Sequence, residues 1–398
     1  MRILFLTPEL PYPARGGGTI KSGTLLDYLT PRHEVDLMCL RRGELTEEQS
    51  SWAREFGSVV TVRVRGERTP WNLLRSYAAG IPLSILRNRS ARFTGLVQER
   101  IESRPYDAVF ADSWLMAQHV PPDLEGMTTL HQHNAEFVMW ERQAAIEPNP
   151  FRRALVRSEA GRVRRYEASI LRAVDVAFAV SEPDRHALQS LASGPGRIEL
   201  LPNVAEPGLL DRPDLSPPRG TGPVILYLGT LSWQPNMQGL RGFVRDAFPL
   251  VRKRLPEARL VVGGRGAPAD LSRLARRVAG VELIGAFDDS ETLYRRARAF
   301  VEVARGGSGT RVKLLNALAR GLPVVTIPDG AEGLDIRPGE HALVGSSPSE
   351  ISDALVRVMT DDALWKVLSE NGRRLVRDLY VPDRAYRALD EVFAADRS

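Results

Sequence analysis

The sequence holds one cysteine, four lysines and no long apolar run, and each scarcity removes a class of protein. The single thiol, Cys39, excludes an internal disulfide framework and any multi-cysteine metal centre, and it suits a reducing cytoplasm. It lies in the strand-like stretch EVDLMCL, where a buried spectator is a simpler reading than a catalytic nucleophile. No apolar stretch approaches the ~20 residues that span a bilayer. The opening MRILFLTPEL has no small-residue cleavage site behind it and reads as a first buried strand. Lysine occurs only at positions 21, 253, 313 and 366, so the formal charge of +5 is carried by arginine. Acidic residues are interleaved with it and no segment has the spacing of a DNA-reading helix, so nucleic acid is not expected as a partner.

What is present is an alternation. In 398 residues, 43% hydrophobic and 26% charged, two domains are the natural reading. Short β-rich runs (RILFLT, EVDLMCL, SVVTVRV, DAVFAD, MTTLHQH, VDVAFAV, RIELLPN) alternate with amphipathic segments, the pattern of a parallel α/β sheet. A Pro- and Gly-rich stretch follows, and the alternation restarts with PVILYLGT, ARLVVGG, VELIGAF, AFVEVA and LPVVTI. The expected fold class is α/β, with two Rossmann-like domains whose parallel sheets face each other across a cleft, where open sheets bind ligands. Residues 1–203 form the N-terminal domain, 204–222 a linker and 223–378 the C-terminal domain. Residues 379–398 are a final helix expected to pack back on the first domain.

The most informative segment is ARGGSGTRVKLLNALARGLPVVTI, residues 304–327. A strand enters a turn at Gly306, Gly307 and Gly309; a helix starts near Thr310 and stops at Gly321, with Pro323 beyond. Free N–H groups at such a helix start attract anions. Arg311 and Lys313 occupy its first turn, where cations oppose the dipole unless they share a bound anion. The bland alternative leaves both cations solvated and the glycines as a mere turn.

These motifs resemble glycosyltransferase family 4, retaining enzymes of GT-B fold. GTRVKLLNALARGLPVV, GAEGL, LPNVAEP, YLGTLSWQPN, LVVGGRGAPADLSRL, PYPARGGGTIKSG and VSEPDRHAL each resemble a family segment, in order along nearly the whole chain. The resemblance implies a nucleotide-sugar donor, UDP- or GDP-linked, in the C-terminal domain, a glycan or lipid-linked acceptor, and neither cofactor nor divalent metal. It assigns donor binding to Gly17 and Gly18 in the first glycine loop, to Gly229, Thr230 and Asn236, to Gly307, Ser308, Gly309 and Thr310, and to Asn316 and Glu332. The two glutamates that the family carries around its glycine turn are here Ser308 and Asn316, and its loop Arg and Lys are Thr230 and Asn236. Arg311 and Lys313 are then expected to hold the diphosphate, and Lys313→Ala to cost transfer rate far more than stability. Asn316, on the Lys313 side of the helix, is expected to reach a ribose hydroxyl.

In HQHNAE, residues 131–136, the resemblance gives His133 a place beside the reacting sugar and puts His131, Asn134 and Glu136 on the acceptor side. His131 and His133 share a strand face; with no third ligand evident in the sequence, a metal site is not expected. The functional expectation is a retaining transferase in cell-surface polysaccharide or glycoconjugate synthesis. It is cytoplasmic, with the arginine-rich segment 151–173 either a solvated face or a peripheral contact with an anionic membrane. Two alternatives keep the fold: a nucleotide-sugar-binding subunit without catalysis, and a nucleotide-sugar epimerase.

Overall fold

The computed structural model describes every residue except 15, 68, 193–196, 218–222, 288, 308 and 396–398. Ser308 and the end of the expected linker therefore lie outside the described residues. The chain divides into two compact units, Met1–Pro202 with Tyr386–Ser398, and Asn203–Ala385.

The first unit is built on β1 (Arg2–Thr7), β2 (Glu34–Arg41), β3 (Val59–Arg63), β4 (Ala108–Asp112), β5 (Met127–Gln132), β6 (Val176–Ala179) and β7 (Arg197–Leu200). They form one parallel sheet in the order β3-β2-β1-β4-β5-β6-β7. Residues Ile3–Leu6 and Ala108–Ala111 are wholly buried, as continuous apolar runs must be when helices cover both sheet faces. Four helices matter here: α1 (Gly17–Leu29), α2 (Pro70–Ala79), α3 (Glu136–Ile146) and α4 (Pro150–Ala173). The glycines read as a loop after β1 are a helix start instead, since Gly17 and Gly18 are the first residues of α1. The chain's last segment belongs to this unit: Tyr28 donates to Asp390 Oδ2 at 2.5 Å, and the Tyr28 and Tyr386 rings meet edge-on at 5.1 Å.

The second unit carries β8 (Val224–Leu228), β9 (Arg259–Gly263), β10 (Val281–Gly285), β11 (Ala299–Glu302), β12 (Val324–Thr326) and β13 (Leu343–Val344). Its parallel order is β10-β9-β8-β11-β12-β13. Helix α5 (Gln234–Gly242) follows β8 and helix α6 (Val312–Arg320) follows β11. Gly321 ends α6 in the left-handed region, φ 82°, with its N–H on Leu318 O at 2.9 Å. Residues after Pro202 are stitched to this unit rather than hanging free. The Asn203 amide bonds the Thr310 hydroxyl, and Ala205 N–H donates to Tyr380 O at 3.2 Å.

In each sheet the strand order reverses once, between β1 and β4 and between β8 and β11. Ligands bind open α/β sheets beyond the carboxyl ends of the strands at such switch points. The singled-out residues of each unit cluster at or beside these two places.

Candidate functional site

In the first unit the carboxyl end of β4 is Asp112, fully buried. One of its oxygens, Oδ1, accepts from His131 Nδ1 at 2.8 Å and from His133 Nε2 at 2.8 Å, and Oδ2 accepts from Ser22 of α1. A single carboxylate thus ties together the ends of β4 and β5 and the first turns of the glycine-started helix. Lys21 adds a second tie, donating to His133 O at 3.3 Å. Ser113, the next residue, has φ 127°, the one non-glycine with positive φ among the described residues. Such strain costs about 1–3 kcal/mol and collects at functional sites.

Burial opposes ionisation of Asp112, but His133 and His131 beside it more than offset that and hold it well below the usual carboxylate range. Burial lowers His131 to about 4, so its ring is neutral at pH 7 and donates through Nδ1. Its Nε2 is left buried with no hydrogen-bond partner. The three side chains are also the one His/Cys/Asp/Glu group among the described residues with its donor atoms close enough to hold a metal ion. The sequence showed no third ligand; the fold brings Asp112. Ligand atoms around a tetrahedral zinc, ~2.0–2.1 Å from the ion, stand about 3.3 Å apart. Contacts of 2.8 Å to one shared oxygen are hydrogen-bond spacing, so we read the cluster as a carboxylate that fixes two imidazoles.

Asn134 donates to Glu136 Oε1 at 3.2 Å, and Glu136 is buried at the start of α3. Burial raises Glu136 to about 7. A carboxyl whose folded value lies above its unfolded ~4.3 is stabilising while protonated, so stability falls as pH rises from about 4 through 7 and then levels. Glu136→Gln is therefore expected to flatten the fall in melting temperature between about pH 5 and pH 8. An unchanged slope would assign that fall to other groups.

In the second unit the key residue is Lys313, one residue into α6. Its Nζ donates to Asn236 Oδ1 at 2.7 Å and Tyr227 Oη at 2.9 Å and lies 2.9 Å from Glu302 Oε2. Two of the ammonium's three donors thus make hydrogen bonds, and the Glu302 carboxylate stands beside it as an ion-pair partner. Lys313, expected from sequence to share a diphosphate with Arg311, has Glu302, at the end of β11, beside it as a counter-charge. Burial lowers the Lys313 pKa while Glu302 opposes the shift. Gly229 caps this knot, since a Cβ there would stand 3.2 Å from Asn236 Nδ2 and 3.3 Å from Lys313 Nζ. Asn236 Nδ2 in turn holds Thr230 O at 2.9 Å.

Arg311 is buried, with Nη1 on Gly309 O at 3.0 Å and its guanidinium against Gly307. It is the N-cap of α6 and supplies no side-chain cap; Leu314 N–H bonds Arg311 O at 2.9 Å, and the N–H groups of a helix's first turn are where anions bind. Gly306 N–H rests on Asp329 Oδ2 at 3.1 Å. Asn316 faces another way than expected: its Oδ1 accepts Glu206 N–H at 2.9 Å and its Nδ2 reaches Glu206 Oε2 at 3.4 Å. It latches the segment after Asn203. Glu332 is half-buried, just after the short helix Pro328–Ala331.

Residues 222–361 match the family model of Glycosyl transferases group 1. The C-terminal unit is a group 1 glycosyl transferase domain. A protein of Klebsiella pneumoniae described as an uncharacterized 44.6 kDa protein in cps region is 20% identical over 98% of both chains. Phosphatidyl-myo-inositol mannosyltransferase of Mycobacterium tuberculosis is 28% identical over 39% of this chain and 43% of its own length. Among solved structures, Anabaena HepE in complex with UDP and glucose superposes with a TM-score of 0.71, at 13% identity, over 99% of this chain and 100% of its own. The two-sheet architecture here is the GT-B fold, shared with solved neighbours that include WaaG, a glycosyltransferase involved in lipopolysaccharide biosynthesis, at a TM-score of 0.63 and 16% identity over 98% of this chain and 99% of its own. Asp112, Ser22, Tyr227, Glu302 and Asp329 are site residues that sequence reasoning passed over. A polar residue closing an otherwise apolar strand (Asp112, Glu302) was the available signal.

Proposed function

We propose that this group 1 glycosyltransferase moves a hexose from a UDP- or GDP-linked donor to a glycan or lipid-linked acceptor with retention, without a divalent metal, in cell-surface polysaccharide or glycoconjugate synthesis. The observation that carries the donor assignment is the uncapped start of α6 at the switch point of the second sheet, with Arg311 buried beside it. Amides and a fixed cation aimed at a departing diphosphate are preorganised electrostatic catalysis, which commonly contributes more to rate than any other effect. Lys313 acts one step back, holding Asn236 and Tyr227 under Gly229. In front-face transfer the sugar–phosphate bond breaks as the acceptor oxygen bonds the same carbon, and the leaving phosphate takes the acceptor's proton. No protein nucleophile is needed. His133, steadied by Asp112, serves the sugar and acceptor side. A lipid-linked acceptor would place the enzyme peripherally on a membrane; among the described residues no helix is long and apolar enough to cross one.

The filled Lys313 knot and the absent family glutamates favour one second reading, a donor-binding subunit without turnover. A thermal-shift screen separates the outcomes. A donor at about a hundredfold its Kd stabilises by about 2.7 kcal/mol, a rise of about 5 °C or more for a unit this size. Mass spectrometry of products then tells transfer from binding alone. No shift with any UDP- or GDP-sugar would overturn the donor assignment.

A further inference from the structure

Seven of the ten exposed large hydrophobic residues among the described ones lie between positions 71 and 155 of the first unit. Helix α2 buries only Ser76, while Trp71 is 65% and Leu74 60% exposed, with Leu73 and Tyr77 also outside. A ten-residue helix is marginal in water on its own, so a helix that turns its aromatic and leucine side chains outward is not explained by the fold's own core. The start of α4 repeats the pattern. Its buried residues begin at Glu159, and Phe151 and Leu155 ahead of them are 83% and 58% exposed. The two helices touch through Arg162 of α4, which stacks 3.8 Å over the Tyr77 ring and donates to Ser76 Oγ at 2.8 Å.

Charge in these two segments has one sign. From 68 to 98 and from 148 to 158 the chain has no Asp or Glu, while Arg75, Arg152 and Arg157 are exposed among the apolar residues. Protruding Trp, Leu and Phe with surrounding arginines are what an anionic bilayer surface binds: aromatic rings sit at the headgroup level, and each basic residue near the surface adds about 1 kcal/mol. A protein partner of mixed polarity would be met by mixed charge.

We infer that α2 and the first turns of α4 form a docking surface for an anionic lipid membrane, inserting Trp71, Leu74, Phe151 and Leu155 while the arginines meet the headgroups. The inference deepens the membrane-side setting of the proposed function, and its test needs no transfer activity. The full chain is sedimented with vesicles of phosphatidylglycerol and phosphatidylethanolamine and with vesicles of phosphatidylcholine alone. Binding is expected to the anionic vesicles, weakening by about tenfold or more in phosphatidylcholine and in the variant Trp71→Ser/Leu74→Ser/Phe151→Ser. That variant's melting temperature and donor-induced thermal shift stay as in the parent. Equal binding to both vesicle types, no loss in the variant, or no binding at all would overturn the inference. So would a concentration-dependent dimer in sedimentation velocity that the variant abolishes, because a second copy would then cover the patch. Failure of the donor shift with intact vesicle binding would instead strike the transfer reading alone.

Discussion

Exchanging Asp112 for asparagine is expected to lower the turnover number of sugar transfer by about 10²-fold, with the donor KM changed less than about threefold. The substitution is nearly isosteric. Its Oδ1 can still accept from His131 Nδ1 and His133 Nε2, and its Nδ2 can face the Ser22 hydroxyl, so what disappears is chiefly the negative charge. In the native protein that charge lies 2.8 Å from both imidazoles, in a fully buried position, where a fixed carboxylate sets tautomers and supports a ring that takes up positive charge. Initial rates across donor concentrations check the split between turnover and KM. A turnover number within about twofold of the parent would show that the carboxylate only builds the fold. Asp112→Ala is a harsher change: it strands three donors, of which Ser22 and His131 are buried, and is expected to cost about 2–4 kcal/mol of stability.

Lys313→Ala is expected to destabilise the second unit by about 3–5 kcal/mol, because it leaves Glu302 charged and buried without its partner. From sequence, the lysine is expected to hold the diphosphate and its loss to cost transfer rate far more than stability; the Glu302 partner adds a stability cost to that expectation. The control is the paired replacement Lys313→Met with Glu302→Leu, which removes both charges and should recover most of the loss, as apolar exchanges of buried ion pairs generally do. Urea or thermal unfolding of the three proteins decides it. A single variant as stable as the parent would mean that the knot of Lys313 with Glu302, Tyr227 and Asn236 contributes nothing, and would free the lysine for a direct role on the diphosphate.

Both cases mark where sequence reading stops. Strands such as RILFLT and DAVFAD are legible because a parallel strand covered on both faces must be a continuous apolar run, and the run need not know its neighbours. Gly321 and Pro323 likewise mark the end of α6 by local chemistry. The pair Leu343–Val344 of β13 is too short to stand out from a loop. Side-chain partnerships are not legible, because the sheet order and not the sequence distance decides them. Glu302 and Lys313 meet because β11 ends where α6 begins; Asp112 meets His131 and His133 because β4 lies beside β5. Asn316 can be placed on a helix face from sequence, but not told which neighbour that face meets, and Glu206 holds its amide. Gly17 and Gly18 read as a loop because glycine is a poor helix former, yet here they open α1.

In the proposed transfer, the start of α6, with Arg311, receives the diphosphate of an activated sugar. A crystal structure of the protein grown with a UDP- or GDP-sugar tests this most directly. The pyrophosphate oxygens are expected on the backbone amides of the Arg311–Lys313 turn, with the Lys313–Glu302 contact retained beneath. A nucleotide bound elsewhere in the second unit, with that turn uncontacted, would contradict it.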